Sequence, residues 1–124
     1  MGFAVVSQGD LTCVVSTGTP QTLVNDQAGG EYWLKLDLSN AAAADTFIVR
    51  CLTMCRSDST GAGATARQAA WYSYSNDQDN STLALSDNKM LGPFVEDSDI
   101  TFTIQQSAGT ARVVPWKVLI READ

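Results

Sequence analysis

The side chains able to do chemistry are few, and their spacing matches no complete catalytic constellation. The chain has no histidine, which removes a Ser-His-Asp triad, a histidine metal ligand and the side chain that ordinarily titrates near neutrality. The stretch Gly61-Ala62-Gly63-Ala64-Thr65-Ala66 fits the loose glycine pattern of a dinucleotide loop. That pattern works only between a strand and a helix in a βαβ unit. An aromatic strand pattern follows here, so the stretch reads as a loop. Asn76-Asp77-Gln78-Asp79-Asn80 offers oxygen ligands without the glycine and terminal glutamate of a calcium loop. It reads as a solvated loop, with a weak cation site as the alternative. Glu96, Asp97 and Asp99 are sequence neighbours in a turn, whereas a glycosidase needs two carboxylates facing each other across a cleft. Asn80-Ser81-Thr82 fits a glycosylation sequon, which matters only in a secreted eukaryotic chain. No serine sits in a G-x-S-x-G elbow, and no motif supports Lys35, Lys89 or Lys117 as a serine's base. Neither an enzymatic activity nor a cofactor is expected.

Cys13, Cys51 and Cys55 make an odd count. On a strand, positions 51 and 55 lie about 13 Å apart at ~3.3 Å per residue, beyond the roughly 7 Å that a disulfide spans. Three thiols without histidine do not complete a zinc site. They read as buried, reduced side chains acting as small hydrophobes in a reducing compartment. An intersubunit crosslink through the odd cysteine stays open.

The elements that must carry these residues are strands. Across Glu31 to Leu38, Tyr32, Leu34, Leu36 and Leu38 alternate with Trp33, Lys35 and Asp37, the period of a half-buried strand. Further strands are expected at Leu11–Ser16, Gln21–Asn25, Thr46–Cys55, Ala66–Ser75, Thr82–Leu85, Ile100–Gln106 and Ala111–Arg121. Ser39 to Asp45 is long enough for one helical turn and reads as a connector. Both faces of Thr46–Cys55 are largely apolar, as in a central strand. Gly92-Pro93 reads as a break after Met90-Leu91. Ser107-Ala108-Gly109-Thr110 reads as a hairpin turn, and Pro115 places its part of the last strand at an edge or a bulge. About eight antiparallel strands without a long helix predict an all-β sandwich of jelly-roll type, or a small barrel.

The 124 residues suit one domain, expected over residues 11–124 with residues 1–10 as a flexible arm. Eight cations against fourteen acids, a net charge of −6, argue against nucleic-acid binding. No apolar run reaches the ~18 residues of a spanning helix, so no membrane partner is expected. The start of the chain lacks a signal peptide's basic region.

The aromatic side chains read first as packing. Trp33 is the exception, because alternation turns it away from the leucine face, towards a partner or a sugar ring. The candidate contact residues are Phe3, Val5 and Val6 in the arm, together with Trp33, Lys35 and Trp71.

Three stretches also carry a family likeness. They are Gln21-Thr22-Leu23 leading into Tyr32–Leu38, Ala44-Asp45-Thr46 leading into Ile48-Val49-Arg50, and Phe102 to Val118. The last contains Gln106-Ser107-Ala108-Gly109-Thr110-Ala111-Arg112, followed by Pro115-Trp116. Together, over roughly Gln21 to Leu119, they resemble small all-β structural proteins of tailed bacteriophages, best matched by capsid decoration (cement) proteins. The resemblance implies a non-enzymatic virion protein on the capsid surface, assembled in the bacterial cytoplasm. It implies the major capsid protein and other virion proteins as partners, a homotrimer, and no catalytic residues. A neck, tail or fibre-associated protein and a carbohydrate-binding module using Trp33 and the Trp71 strand remain the alternatives.

Overall fold

The structure, a computed structural model, describes residues 2–15, 19–42, 45–53, 67–75, 88–96 and 99–122. Eight strands run β1 Ala4–Thr12, β2 Gln21–Asp26, β3 Gly30–Asp37, β4 Thr46–Thr53, β5 Arg67–Ser75, β6 Asn88–Glu96, β7 Ile100–Ala108 and β8 Val113–Glu122. They form two four-stranded antiparallel sheets, in the orders β1-β8-β3-β6 and β2-β7-β4-β5. The protein is an all-β sandwich. Of strands consecutive in the chain, only β4 and β5 are hydrogen-bonded neighbours; every other described connection joins strands that do not pair.

The inner faces follow from alternation. Tyr32, Leu34 and Leu36 of β3 and Val114, Val118 and Ile120 of β8 point inward from the first sheet. Phe47, Val49 and Cys51 of β4 and Ile100, Phe102 and Ile104 of β7 meet them from the second. The sheets are also tied by polar and aromatic contacts. The Tyr32 hydroxyl donates to Asp26 Oδ2 at 2.6 Å and accepts the Gly29 N–H at 3.0 Å. The Phe94 and Phe102 rings meet edge to face, 5.5 Å between centroids.

The structure departs from the sequence reading in three places. Residues 4–10 are not a flexible arm: they form most of β1, an edge strand paired with β8 from Ala4↔Ile120 to Thr12↔Val113. A bulge between Val5 and Ser7 interrupts its alternation. The run through Gly92-Pro93 is not broken either. β6 continues across a cis Gly92–Pro93 peptide, because at the sheet edge a proline without an N–H need lose no ladder bond. The register shift between Tyr32 and Leu34 takes up the irregularity.

Residues 107–110 are not a hairpin turn. β7 pairs with β2 and β4 while β8 pairs with β1 and β3, so this turn is an arch between the sheets. Pro115 does lie at a local edge, although β8 is an interior strand further on. Its β3 ladder ends one residue earlier, at Leu36↔Trp116, and Pro115 has a partner only on β1, Asp10.

Thr82–Leu85, the loops at 56–65 and 76–81, Cys55 and Asp97 lie outside the described residues. Cys13 and Cys51 are free and buried. Burial pushes their thiols up, to about 11 and about 12.

Candidate functional site

The outer face of the β1-β8-β3-β6 sheet is organised in rows across the strands. Register places Val5, Leu119 and Trp33 in one row, and Gln8, Lys117, Lys35 and Met90 in the next. Asp10, Pro115, Asp37 and Asn88 line the same face beyond them. Because Tyr32, Leu34 and Leu36 fill the core, strand geometry turns Trp33, Lys35 and Asp37 outward.

Phe3, Trp33, Met90 and Leu119 line an open groove of about 350 Å³ whose walls are entirely apolar. Phe3 and Met90 are exposed by 48% and 51%, high for such side chains if nothing covers them. The groove is held in shape. The Trp33 ring lies on Gly92, where a Cβ would come within 2.9 Å of ring carbon Cε3. The indole Nε1 donates to Glu31 Oε2 at 2.8 Å, and the Arg121 guanidinium donates to Glu31 Oε1 at 2.5 Å. The same guanidinium sits 5.4 Å from the centre of the Phe3 ring. The Trp33 indole, followed by Arg121, holds the Glu31 carboxyl below its ordinary range. One carboxylate thus fixes both the tryptophan and the arginine that carries Phe3.

Beside it lies a second, polar groove of about 440 Å³, lined by Gln8, Asp10, Lys35, Asp37, Asn88 and Lys117 among others. Lys35 and Lys117 face each other directly across the β3–β8 ladder.

Most of the expected contact residues come together on this face. Phe3 and Trp33 share the apolar groove, Val5 is exposed in the row of Leu119, and Lys35 lines the neighbouring groove. Two do not. Val6 packs against the core, because alternation from the outward Val5 turns it inward. Trp71 is exposed on β5, opposite Arg50 on the outer face of the other sheet. Trp33 and Trp71 therefore cannot form one sugar platform. Leu119 and Met90 were missed as site residues. Alternation marks Leu119 as outward, but only the register places it beside Trp33.

Two aspartates away from this face serve the fold. Asp99 accepts hydrogen bonds from Asn25 Nδ2 at 2.8 Å and Gln27 Nε2 at 3.2 Å, pinning the corner between β2 and β7. The arch residues converge on Asp45, which is wholly buried. Its carboxylate accepts the N–H groups of Ala42 and Thr110 at 2.7 and 3.1 Å and Arg112 Nε at 2.6 Å. Gln106, also buried, donates to the carbonyls of Ala108 and Thr110 and accepts the Arg112 N–H. Among the described residues no group of three or more Cys, Asp or Glu side chains is placed to hold a metal ion.

No family model, curated protein or solved structure matches this chain.

Proposed function

We propose that this protein is a non-enzymatic docking module, and specifically a virion protein that binds and stabilises the outer surface of a tailed-phage capsid. The observation that carries the docking reading is the apolar groove of Phe3, Trp33, Met90 and Leu119, braced by Glu31 and Arg121 on a rigid sheet. A braced, exposed, apolar surface is what association with another macromolecule needs, and these walls hold no nucleophile, acid or base. The capsid assignment rests on the phage resemblance. The motif Gln106–Arg112 and the stretch around Asp45 form one buried lock, so the shared residues support a common fold. The strand order β1-β8-β3-β6 over β2-β7-β4-β5, with successive strands crossing between sheets, supports its jelly-roll form.

A sugar-binding role is less well supported. A sugar site combines an aromatic platform with convergent polar groups, and here the Trp33 indole N–H is already committed to Glu31.

Capsids of the phage that encodes the chain, purified with and without it, test the proposal. The protein is expected to band with intact heads as a homotrimer by light scattering and to raise their resistance to heat. Heads that neither bind the protein nor gain stability overturn it, and its appearance at the neck or tail in electron cryomicroscopy moves it to another part of the particle.

A further inference from the structure

We propose that the outer face of the β1-β8-β3-β6 sheet recognises an extended acidic segment of its partner protein. The segment seats an apolar side chain on Trp33 and Leu119 and a carboxylate between Lys35 and Lys117. The inference rests on the reading of this face as a docking surface, and adds the chemistry of what docks.

Charge carries the argument. Lys35 and Lys117 are direct cross-strand partners on one face, an arrangement that like charges disfavour. The other cationic side chains that the structure describes are engaged. Arg112 pairs with Asp45, Arg121 with Glu31, Arg50 donates to Gln105, and Lys89 lies over the Tyr74 ring. Only the two facing lysines have no ion pair, hydrogen bond or ring contact among the described residues. They do so in a chain with net charge −6, where carboxylates outnumber cations and could have been placed opposite either one. Asp10 and Asp37 share the groove but pair with neither lysine, so the two facing ammonium groups fit a carboxylate supplied between them from outside.

Geometry then sets the spacing and the order. The apolar row of Leu119 and Trp33 and the lysine row of Lys117 and Lys35 are two residues apart along the strands, about 7 Å at ~3.3 Å per residue. An extended segment matches that with an apolar residue and an acidic residue at i and i+2, on one side of its backbone. Asp10 and Asp37 lie just beyond the lysines. They repel an acidic group placed there, so its apolar neighbour must lie on the Trp33 side.

The test uses the full chain, labelled with nitrogen-15, and four probes followed by amide and indole shifts. The probes are the acetylated, amidated peptides Leu-Gly-Glu, Leu-Gly-Lys and Ser-Gly-Glu, and trigalacturonate. Leu-Gly-Glu is expected to shift the Trp33 indole together with the amides of Lys35, Lys117 and Leu119. It should bind at least about tenfold more tightly than Leu-Gly-Lys or Ser-Gly-Glu. The double variant Lys35→Glu/Lys117→Glu, checked for retained spectral dispersion, should reverse the preference towards Leu-Gly-Lys. No response to Leu-Gly-Glu, an equal response to the lysine peptide, or tighter binding of trigalacturonate overturns the proposal. On capsids, the double variant and Trp33→Ser should both weaken binding. Loss with Trp33→Ser alone leaves the docking face standing and removes the acidic segment; loss with neither removes the docking face itself.

Discussion

Asp45 and Arg112, 67 positions apart in the chain, meet at 2.6 Å, with the carboxylate buried completely and the guanidinium side chain still 29% exposed. The pair joins the connector before β4 to the arch between β7 and β8. Asp45 is the centre of that lock and Arg112 its solvent-facing lid, so the two should not be equivalent. Asp45→Ala strands two buried N–H groups as well as the cation, and is expected to cost about 3 kcal/mol. Arg112→Ala should cost about half as much, because Asp45 keeps its two backbone donors. Urea unfolding of both single variants and the double variant measures the difference and the coupling. Equal losses would mean that the ion pair, and not the backbone donors, holds the arch.

The same carboxylate gives stability a pH dependence. Burial alone would raise its pKa, but the Ala42 N–H, Arg112 and the Thr110 N–H outweigh burial and hold it below its ordinary value of 3.8. A group whose folded pKa lies below its unfolded pKa contributes stability above the unfolded value and loses it as pH falls through the folded one. Asp37, held down by the Ser39 hydroxyl and N–H, and Glu31 act in the same direction. Thermal unfolding should therefore show a melting temperature that is level near neutrality and falls below about pH 4. Asp45→Asn, already destabilised, should show a shallower fall. An identical acid slope in the variant would exclude Asp45 as a source of it.

Gly109 sets how tightly the lock closes. Its φ is +97°, and a Cβ there would overlap the Asp45 carboxylate and come within 2.8 Å of the Asp45 Cα. Gly109→Ala adds steric conflict to an unfavourable backbone conformation, and should cost about 2–4 kcal/mol. Chemical denaturation of Gly109→Ala beside Ser107→Ala, a change at an exposed position of the same arch, checks this. A small effect at position 109 would show that the arch can move away from Asp45.

What the sequence made legible follows the physics of each strand. β3 could be read residue by residue because its two faces meet different surroundings: leucines and Tyr32 in the core, Trp33, Lys35 and Asp37 outside. β1 was hidden because its bulge leaves Val6 and Ser7 both half-buried, one after the other, and so breaks the period. β6 was hidden because Gly92-Pro93 carries a turn signal, and only its place at the sheet edge makes that harmless. The arch at 107–110 looked like a hairpin since glycine and small polar residues serve both, and the choice depends on which strands pair. The site divides in the same way. Trp33 was visible from alternation alone. Its neighbours Leu119 and Met90, and the confrontation of Lys35 with Lys117, arise from register between strands distant in sequence.

Burial of the thiols predicts their reactivity. With pKa values of about 11 and about 12, at most roughly a thousandth of either is thiolate near pH 8, and both side chains are shielded. In a Cys55→Ser background, native Cys13 and Cys51 should react with a disulfide reagent at least about 100-fold more slowly than in the urea-unfolded chain. Fast native labelling would place one of them at the surface.

The facing lysines should lower the stability of the free protein. Lys35→Glu leaves Lys117 opposite a carboxylate, turning cross-strand repulsion into attraction. The gain should be about 0.2–1 kcal/mol at low salt and should shrink as ionic strength rises, since both groups lie at the surface and are screened. Lys117→Glu should act alike. Lys35→Glu/Lys117→Glu should gain nothing, because it only exchanges one like-charged pair for another. Urea midpoints at about 10 mM and about 500 mM salt separate these cases. The ordering of interest is that both single variants exceed the parent while the double variant does not, and that the gap closes in salt. Stabilisation by both singles, together with loss of the acidic peptide, would mean that the lysine pair is retained at a cost to folding for what it binds. If the singles are neutral, the two ammonium groups stay far enough apart in water to ignore each other, and the case for an external carboxylate loses its electrostatic basis.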